Sequence, residues 1–282
     1  MCRFLTYSGE PILLHDLLYH PPHSLVHQSC ASLERDDPLN PDGFGVGWYV
    51  PEISPFPAVF RSVLPAWSSS NLRSLSRLTR SGHVFAHVRA ASEGLGVSEV
   101  NCHPFSAGPF LWMHNGTVAG YAEFREWARH YLSQAAFSQV FGTTDSEILF
   151  GLFLDMWDQA GSPSTTEGLL DAFRKTVLFA IDILRELSVK KASTMNLALT
   201  DGKTTIASRI VTGAGETART LYCARGVRLR SEKEGSRFER ARDAGSVLIA
   251  SEPLFDDPAW EPVPEGSIVA VHPGGRVEVG SV

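Results

Sequence analysis

Two consecutive helical patterns occupy residues 144–187, and on either side of them the apolar residues come mostly in short runs bounded by turn residues. No other feature limits the fold as much. Thr144-Asp145-Ser146-Glu147 ahead of the apolar run 148–157 has the pattern of a capping box, with Thr144 as N-cap and Glu147 at the third helical position. After the break at Gly161-Ser162-Pro163 a second helix is predicted over 167–187. A further helix is predicted over 120–141, where Phe124, Trp127 and Tyr131 recur at helix spacing on one apolar face. Upstream, strands are predicted at 2–8, 42–49, 58–63, 83–88 and 110–113, with a short helix at 71–80. Residues 11–41, rich in His, Pro and Ser, read as a long ordered loop with a helical turn around 13–19. Downstream, strands are predicted at 195–200, 204–210, 220–224, 246–250, 268–272 and 276–279, and Asp201-Gly202 signals a hairpin between the first two. Strands, then helices, then strands again is an α+β order. With no linker or repeat to divide it, the stretch 2–282 reads as one domain. Within it, 225–243, Arg-rich with interspersed Glu, reads as a mobile charged segment.

Bulk properties exclude several classes of function. A formal net charge of -6 argues against a nucleic-acid role, because binding phosphates needs a basic face. The four cysteines, Cys2, Cys30, Cys102 and Cys223, are scattered and form no CxxC pair, which fits neither a disulfide framework nor a zinc ribbon. No stretch approaches the roughly 18 apolar residues of a membrane span, and no signal-like segment opens the sequence. A soluble, cytoplasmic protein with no membrane role is expected.

Cys2 sets the chemistry. A small side chain after the initiator methionine permits removal of Met1, which makes cysteine the new N-terminus. A free α-amino group (about 7.7–8.0) and a thiol (about 8.5) are close enough in pKa for the amine to take the thiol proton, directly or through one water. Other segments each admit two readings. Gly43, Gly45 and Gly47 share one face of a strand, leaving it bare for another backbone or a ligand; with no GxGxxG and no helix following, a dinucleotide site is a poor fit. Arg89, at a strand end beside small residues, is either a surface arginine or a fork for a carboxylate. Asn115-Gly116 is either a hairpin turn or a pair of donors, amide and backbone N–H, aimed at an oxyanion. Asp145 either complements the helix dipole or receives an ammonium group. His83, His87, His103 and His114 could belong to a metal-binding protein, but on a strand His83 and His87 lie roughly 13 Å apart, which favours a structural role.

Taken together and in this order, Cys2, the glycine-alternating strand, the Arg89 strand end, Asn115-Gly116 and Thr144-Asp145-Ser146-Glu147 resemble the class II glutamine amidotransferases, which are N-terminal-nucleophile hydrolases. The resemblance covers most of the chain and implies a four-layer αββα sandwich. It also implies roles for individual residues. Cys2 is the nucleophile, Asn115 and Gly116 form the oxyanion hole, Arg89 holds a substrate α-carboxylate, and Asp145, helped by the Gly116 carbonyl, takes the α-ammonium. No cofactor and no metal are implied.

Within the class, Met1 to Leu5, Pro38 to Gly47, Phe85 to Ala90, Asn101 to Phe105, Met113 to Gly116 and Ala250 to Leu254 are similar to a stand-alone subgroup, the amidotransferase-like subunit of the fungal alternative glutathione-degradation complex. The substrate implied is a γ-glutamyl small molecule, glutathione or glutamine, and the partner a metallopeptidase-like protein. The chain is too short for an appended synthase domain. The alternatives are a glutaminase delivering ammonia to a separate synthase subunit, a γ-glutamyl hydrolase of an ergothioneine-type pathway, and a catalytically silent subunit.

Overall fold

The computed structural model describes residues 2–34, 38–91, 96–213, 215–232, 235–240 and 245–282. The N-terminal part contributes β1 (Arg3–Leu13), α1 (Leu14–Leu18), α2 (Leu25–Gln28), β2 (Phe44–Trp48), β3 (Ala58–Ser62), α3 (Ser70–Ser76), β4 (Arg80–Val88), β5 (Phe105–Ala107) and β6 (Phe110–Thr117). Helices follow: α4 (Tyr121–Tyr131), α5 (Gln134–Phe137), α6 (Asp145–Gln159) and α7 (Thr166–Glu186). The remainder returns to strands: β7 (Thr194–Thr200), β8 (Thr205–Val211), β9 (Tyr222–Arg225), β10 (Val227–Glu232), β11 (Gly235–Arg240), β12 (Val247–Ala250), β13 (Trp260–Pro262), β14 (Ser267–Val271) and β15 (Val277–Ser281).

Among the described residues these strands form a seven-stranded sheet, β13-β9-β12-β1-β4-β2-β3, and a six-stranded sheet, β15-β14-β8-β7-β6-β5. Side chains alternate between the faces of a strand, and the cores show what each face meets. On β1, Phe4 packs with Phe85, Leu111, Met113, Ile249 and Val269 between the sheets. Its neighbours Leu5 and Tyr7 face the other way, onto Leu14, Leu17, Leu25 and Leu72 of α1, α2 and α3. On the second sheet, Trp112, Leu197, Leu199 and Ile206 pack outward against Phe150, Phe153 and Phe173 of α6 and α7. The layers are therefore helix, sheet, sheet, helix, the αββα sandwich that the resemblance implies. Because both sheets are covered on both faces, β7 is buried along its whole length rather than alternating.

Several expectations need correction. The helix expected over 120–141 breaks at Leu132, because Ser133 caps a new turn by accepting from the Ala136 N–H at 3.1 Å while its own N–H donates to Asp155 of α6 at 2.9 Å. Asn115-Gly116 does not turn; β6 runs through both, paired with Asn196 and Met195. The capping box is half formed, since Thr144 Oγ1 accepts from the Glu147 N–H at 3.3 Å. The Glu147 carboxylate turns instead to the Phe141 and Gly142 N–H groups, at 3.1 and 2.9 Å. In the 11–41 stretch β1 continues to Leu13, and α2 joins the helical turn expected around 13–19. Within the charged 225–243 stretch, β10 and β11 pair as an antiparallel hairpin; residues 233–234 and 241–243 lie outside the described residues. The bare glycine face behaves as expected, because a Cβ at Gly45 would collide with the His103 carbonyl oxygen.

Candidate active site

Strand register brings the candidate residues to one end of the sandwich. β1 and β4 pair antiparallel with Arg3 opposite Val88, so Cys2 and Arg89 come opposite each other just past the strand ends. Cys2 shares its parity with Phe4 and so lies on the side facing between the sheets. Its thiol donates to the Ala90 carbonyl at 3.7 Å. From the second sheet, β6 delivers Gly116, and α6 begins beside it with Asp145. Cys2, Arg89, Gly116 and Asp145 line a single cleft of about 130 Å³, together with His103, His114, Thr144 and Ser146. That is well below the roughly 300–1,000 Å³ of pockets for drug-sized ligands, and suits a small head group.

Among the described residues, two opposite charges in this cleft lack a partner of opposite charge other than His114 beside Asp145. Arg89 is buried, and among the described residues its guanidinium donates only to the Asp42 carbonyl, at 3.4 Å. Its backbone N–H donates to the Gly43 carbonyl at 2.8 Å, and Ala91 N–H donates to the Asp42 carboxylate at 2.8 Å, so the strand end is held from both sides. Asp145 accepts from the Val118 N–H at 2.7 Å and from the Ser146 hydroxyl at 3.1 Å. Among the described residues it has no Lys or Arg partner; His114 Nδ1 lies 3.8 Å away.

Asn115 is placed differently. Its side chain is buried, Nδ2 donates to Ser251 Oγ at 3.3 Å, and it is not among the residues lining the cleft. Gly116 is required sterically, because a Cβ there would strike the Thr194 carbonyl oxygen.

The histidines do not converge as a ligand set. His87 and His103 stack at 4.2 Å, and His87 Nε2 donates to the His114 carbonyl at 3.2 Å. His114 has both ring nitrogens engaged, by Ser146 Oγ at 2.9 Å and the Thr194 carbonyl at 3.0 Å. His83 lines a separate cavity with His272. Burial pushes His87 down to about 3 and His103 well below the usual imidazole range, so His103 in the cleft and His87 stacked on it are uncharged near neutral pH.

Burial pushes the Cys2 thiol above its ordinary value, and the Arg89 guanidinium opposes part of that rise. Thiolate is therefore scarce at neutral pH. Alkylation of Cys2 by iodoacetamide, followed by mass spectrometry of the N-terminal peptide, is expected to rise with pH to a midpoint above the roughly 8.5 of a free thiol. Arg89→Gln, which removes an opposing charge, is expected to move that midpoint higher; a midpoint at or below the free-thiol value would contradict the burial argument.

Sequence reasoning missed the residues that hold this end of the sandwich in place. Arg3 Nη1 donates to the Cys2 carbonyl at 3.0 Å, and Arg3 Nε pairs with Glu252. Ser251 Oγ accepts from the Phe4 N–H at 3.0 Å, and the Phe4 carbonyl accepts from the Ser251 N–H at 3.0 Å. The available signal was a lone charge at the end of each of two apolar strand patterns, at Arg3 and Glu252.

The αββα sandwich is the fold of the N-terminal-nucleophile hydrolases. The family profile described as glutamine amidotransferases class-II matches residues 23–282. The chain is 37% identical over 292 residues to the probable glutamine amidotransferase DUG3 of Saccharomyces cerevisiae, covering 96% of this chain and 82% of the relative. It is 27% identical over 279 residues to the gamma-glutamyl-hercynylcysteine sulfoxide hydrolase of Mycobacterium tuberculosis, covering 98% of this chain and 94% of that one. Among solved structures, a glutamine aminotransferase class-II domain protein from Silicibacter pomeroyi superposes with a TM-score of 0.64 at 25% identity, over 99% of this chain and 98% of that chain. The chain belongs to the class II glutamine amidotransferases, a family of enzymes. Among the described residues no helix is long and apolar enough to cross a membrane.

Proposed function

We propose that this enzyme hydrolyses γ-glutamyl amides with Cys2 as nucleophile, glutathione being the first substrate to test. One observation carries the reading: a buried guanidinium and a carboxylate, each without a charged partner among the described residues apart from the His114 contact, line the same small cleft as a thiol. A zwitterionic amino-acid head complements that pair. Arg89 takes its α-carboxylate by charge-assisted hydrogen bonds and Asp145 its α-ammonium, leaving the γ-amide carbonyl directed at Cys2. Once Met1 is removed, the Cys2 α-amine takes the thiol proton, and sulfur attacks the carbonyl carbon. The tetrahedral oxyanion is held by Asn115 Nδ2 and the Gly116 N–H. Collapse breaks the C–N bond, the protonated α-amine returns its proton to the leaving amine, and water hydrolyses the thioester to glutamate.

The leaving group distinguishes the variants of this reading. Cys-Gly from glutathione would pass to a metallopeptidase-like partner, whereas ammonia from glutamine would pass to a separate synthase subunit. The mycobacterial relative, similar over nearly the whole chain, favours keeping a bulkier sulfur-containing γ-glutamyl amide as the second substrate class. Mass spectrometry of reactions with glutathione and with glutamine, each with and without a candidate dipeptidase, is expected to show glutamate released from glutathione. Arg89→Ala and Asp145→Ala are each expected to raise KM by about 10- to 100-fold, the loss of one charge-assisted contact, with a smaller change in kcat. Unchanged KM in both variants would remove the zwitterion clamp, and no glutamate under any condition would remove the activity itself.

A further inference from the structure

Asn115 and Ser251 leave a hydrogen-bonding account that does not balance. Ser251 Oγ, in a fully buried residue, receives two donors, the Phe4 N–H at 3.0 Å and Asn115 Nδ2 at 3.3 Å. Among the described residues its own proton has no recorded acceptor. Asn115 Oδ1, also buried, has no donor. A hydroxyl proton without an acceptor thus sits beside an amide oxygen without a donor, and a buried polar group left unpaired is costly. Rotating the Asn115 amide by a half-turn about Cβ–Cγ exchanges its two ends, so that the serine proton gains an acceptor and Oδ1 a donor, and the group left unpaired is the Nδ2 donor. Ser251 then still accepts from Phe4 but donates its proton to Oδ1, and Nδ2 is released from the serine.

We infer that Ser251 is a positioning residue that sets the orientation of the Asn115 amide, presenting Nδ2 to the reaction's oxyanion by holding Oδ1. This deepens the hydrolase reading and rests on it. The topology favours such a role. β12 pairs beside β1 with Ala250 opposite Leu5, so Ser251 lies opposite Phe4, two residues from the nucleophile. The Phe4 N–H donates to the Ser251 hydroxyl, and the Ser251 N–H donates to the Phe4 carbonyl. Asn115, on the facing strand β6, reaches across from the other sheet. One hydroxyl therefore fixes the nucleophile strand and the oxyanion donor relative to each other.

A double-mutant cycle tests this, with glutamate release from glutathione as the assay and thermal unfolding of every variant as the control for folding. Ser251→Ala is expected to lower kcat by about tenfold with KM within about twofold, because only an orientation is lost rather than a whole oxyanion donor, whose loss costs about a hundredfold or more. Asn115→Ala is expected to lose about a hundredfold, and the Asn115→Ala/Ser251→Ala pair no more than Asn115→Ala alone. Ser251→Thr, which keeps the hydroxyl, is expected to restore most of kcat, while Ser251→Cys, a weaker donor of nearly the same shape, is not. Multiplying losses in the pair, a serine effect confined to KM, or full activity in Ser251→Ala would each overturn the role. If Ser251→Ala does not fold, the Thr and Cys variants decide by the same criterion, and failure of all three to fold assigns Ser251 to structure alone. Wild-type and Cys2→Ala enzyme in the same assay keep the two ideas separate: a silent wild type counts against the hydrolase reading, an active wild type with an indifferent Ser251 against this one.

Discussion

Cys2→Ala is expected to reduce glutamate release by at least about a thousandfold while leaving unfolding unchanged within about 1 kcal/mol. Removing the nucleophile of an enzyme that works through a covalent intermediate typically leaves only the contribution of oxyanion donors and substrate binding. Structurally the side chain contributes little: it is half-buried, and its one recorded hydrogen bond is the long thiol contact to the Ala90 carbonyl. Loss of activity together with loss of stability would mean that the residue holds the strand end instead. The same reasoning makes Met1 decisive. Burial raises the thiol, so a nearby base is needed near neutral pH, and the two histidines that line the cleft are poor alternatives: His103 is buried and neutral, and His114 has both ring nitrogens engaged by Ser146 and the Thr194 carbonyl. Chains carrying an uncleaved N-terminal tag, verified by intact mass, should therefore be silent and gain activity on cleavage to a free Cys2. Full turnover with the tag in place would show that the proton goes elsewhere.

Caps, breaks and short apolar runs in the sequence made the layers legible. The capping pattern ahead of the 148–157 apolar run marked α6, the Gly161-Ser162-Pro163 break marked the start of α7, and the short runs around them marked the strands. Where local signals misled, a tertiary contact had won. Ser133 looked like an ordinary helix position, but the Asp155 carboxylate one helix away accepts its N–H and makes it a cap. Asn-Gly is a strong turn signal, yet the backbone at 115–116 is paired with β7 on one side and the Thr194 carbonyl leaves no room for a side chain at 116. The three-residue strands β5 and β13 have too few positions to show any period.

Four of the five candidate residues, Cys2, Arg89, Gly116 and Asp145, line one cleft because each lies at or near the end of a recognisable element, and such ends meet at the rim of a sandwich. Of their supports, only lone charges at Arg3 and Glu252 showed, without what they pair with. Arg3, Ser251 and Glu252 act through register, and register between strands separated by some 250 residues of sequence is written in no local pattern. His103 and His114 were visible as candidate ligands, but their actual roles, a neutral wall and a bridge between Ser146 and Thr194, depend on which ring nitrogens find partners.

Glu252→Ala is expected to be the most destabilising single change at this end of the molecule, by about 3–5 kcal/mol in urea unfolding, the cost of stranding a buried charge. Glu252 is 1% exposed and receives donors from Arg3 Nε, Ser32 Oγ, His23 Nε2 at 2.6 Å and the Leu33 N–H at 2.9 Å. Alanine would leave the Arg3 guanidinium, itself 3% exposed, with only the Cys2 carbonyl and Ser32 hydroxyl as partners among the described residues. Glu252→Gln keeps the shape and should cost less. The pH dependence then separates charge from packing. Burial alone would raise the Glu252 carboxyl, but hydrogen bonds from His23, Ser32 and Leu33 and the Arg3 charge hold it far below the usual carboxylate range. A depressed folded-state pKa gives stability that is complete above the unfolded value of about 4.3 and is lost as pH falls toward the folded value. Wild type should therefore lose stability below about pH 4.5 more steeply than Glu252→Gln, the two curves converging in acid. Parallel curves would mean that the carboxylate's charge contributes nothing and that only its shape matters. Because Arg3 links this cluster to the Cys2 carbonyl, Glu252→Gln should also lower kcat, at temperatures where the variant remains fully folded.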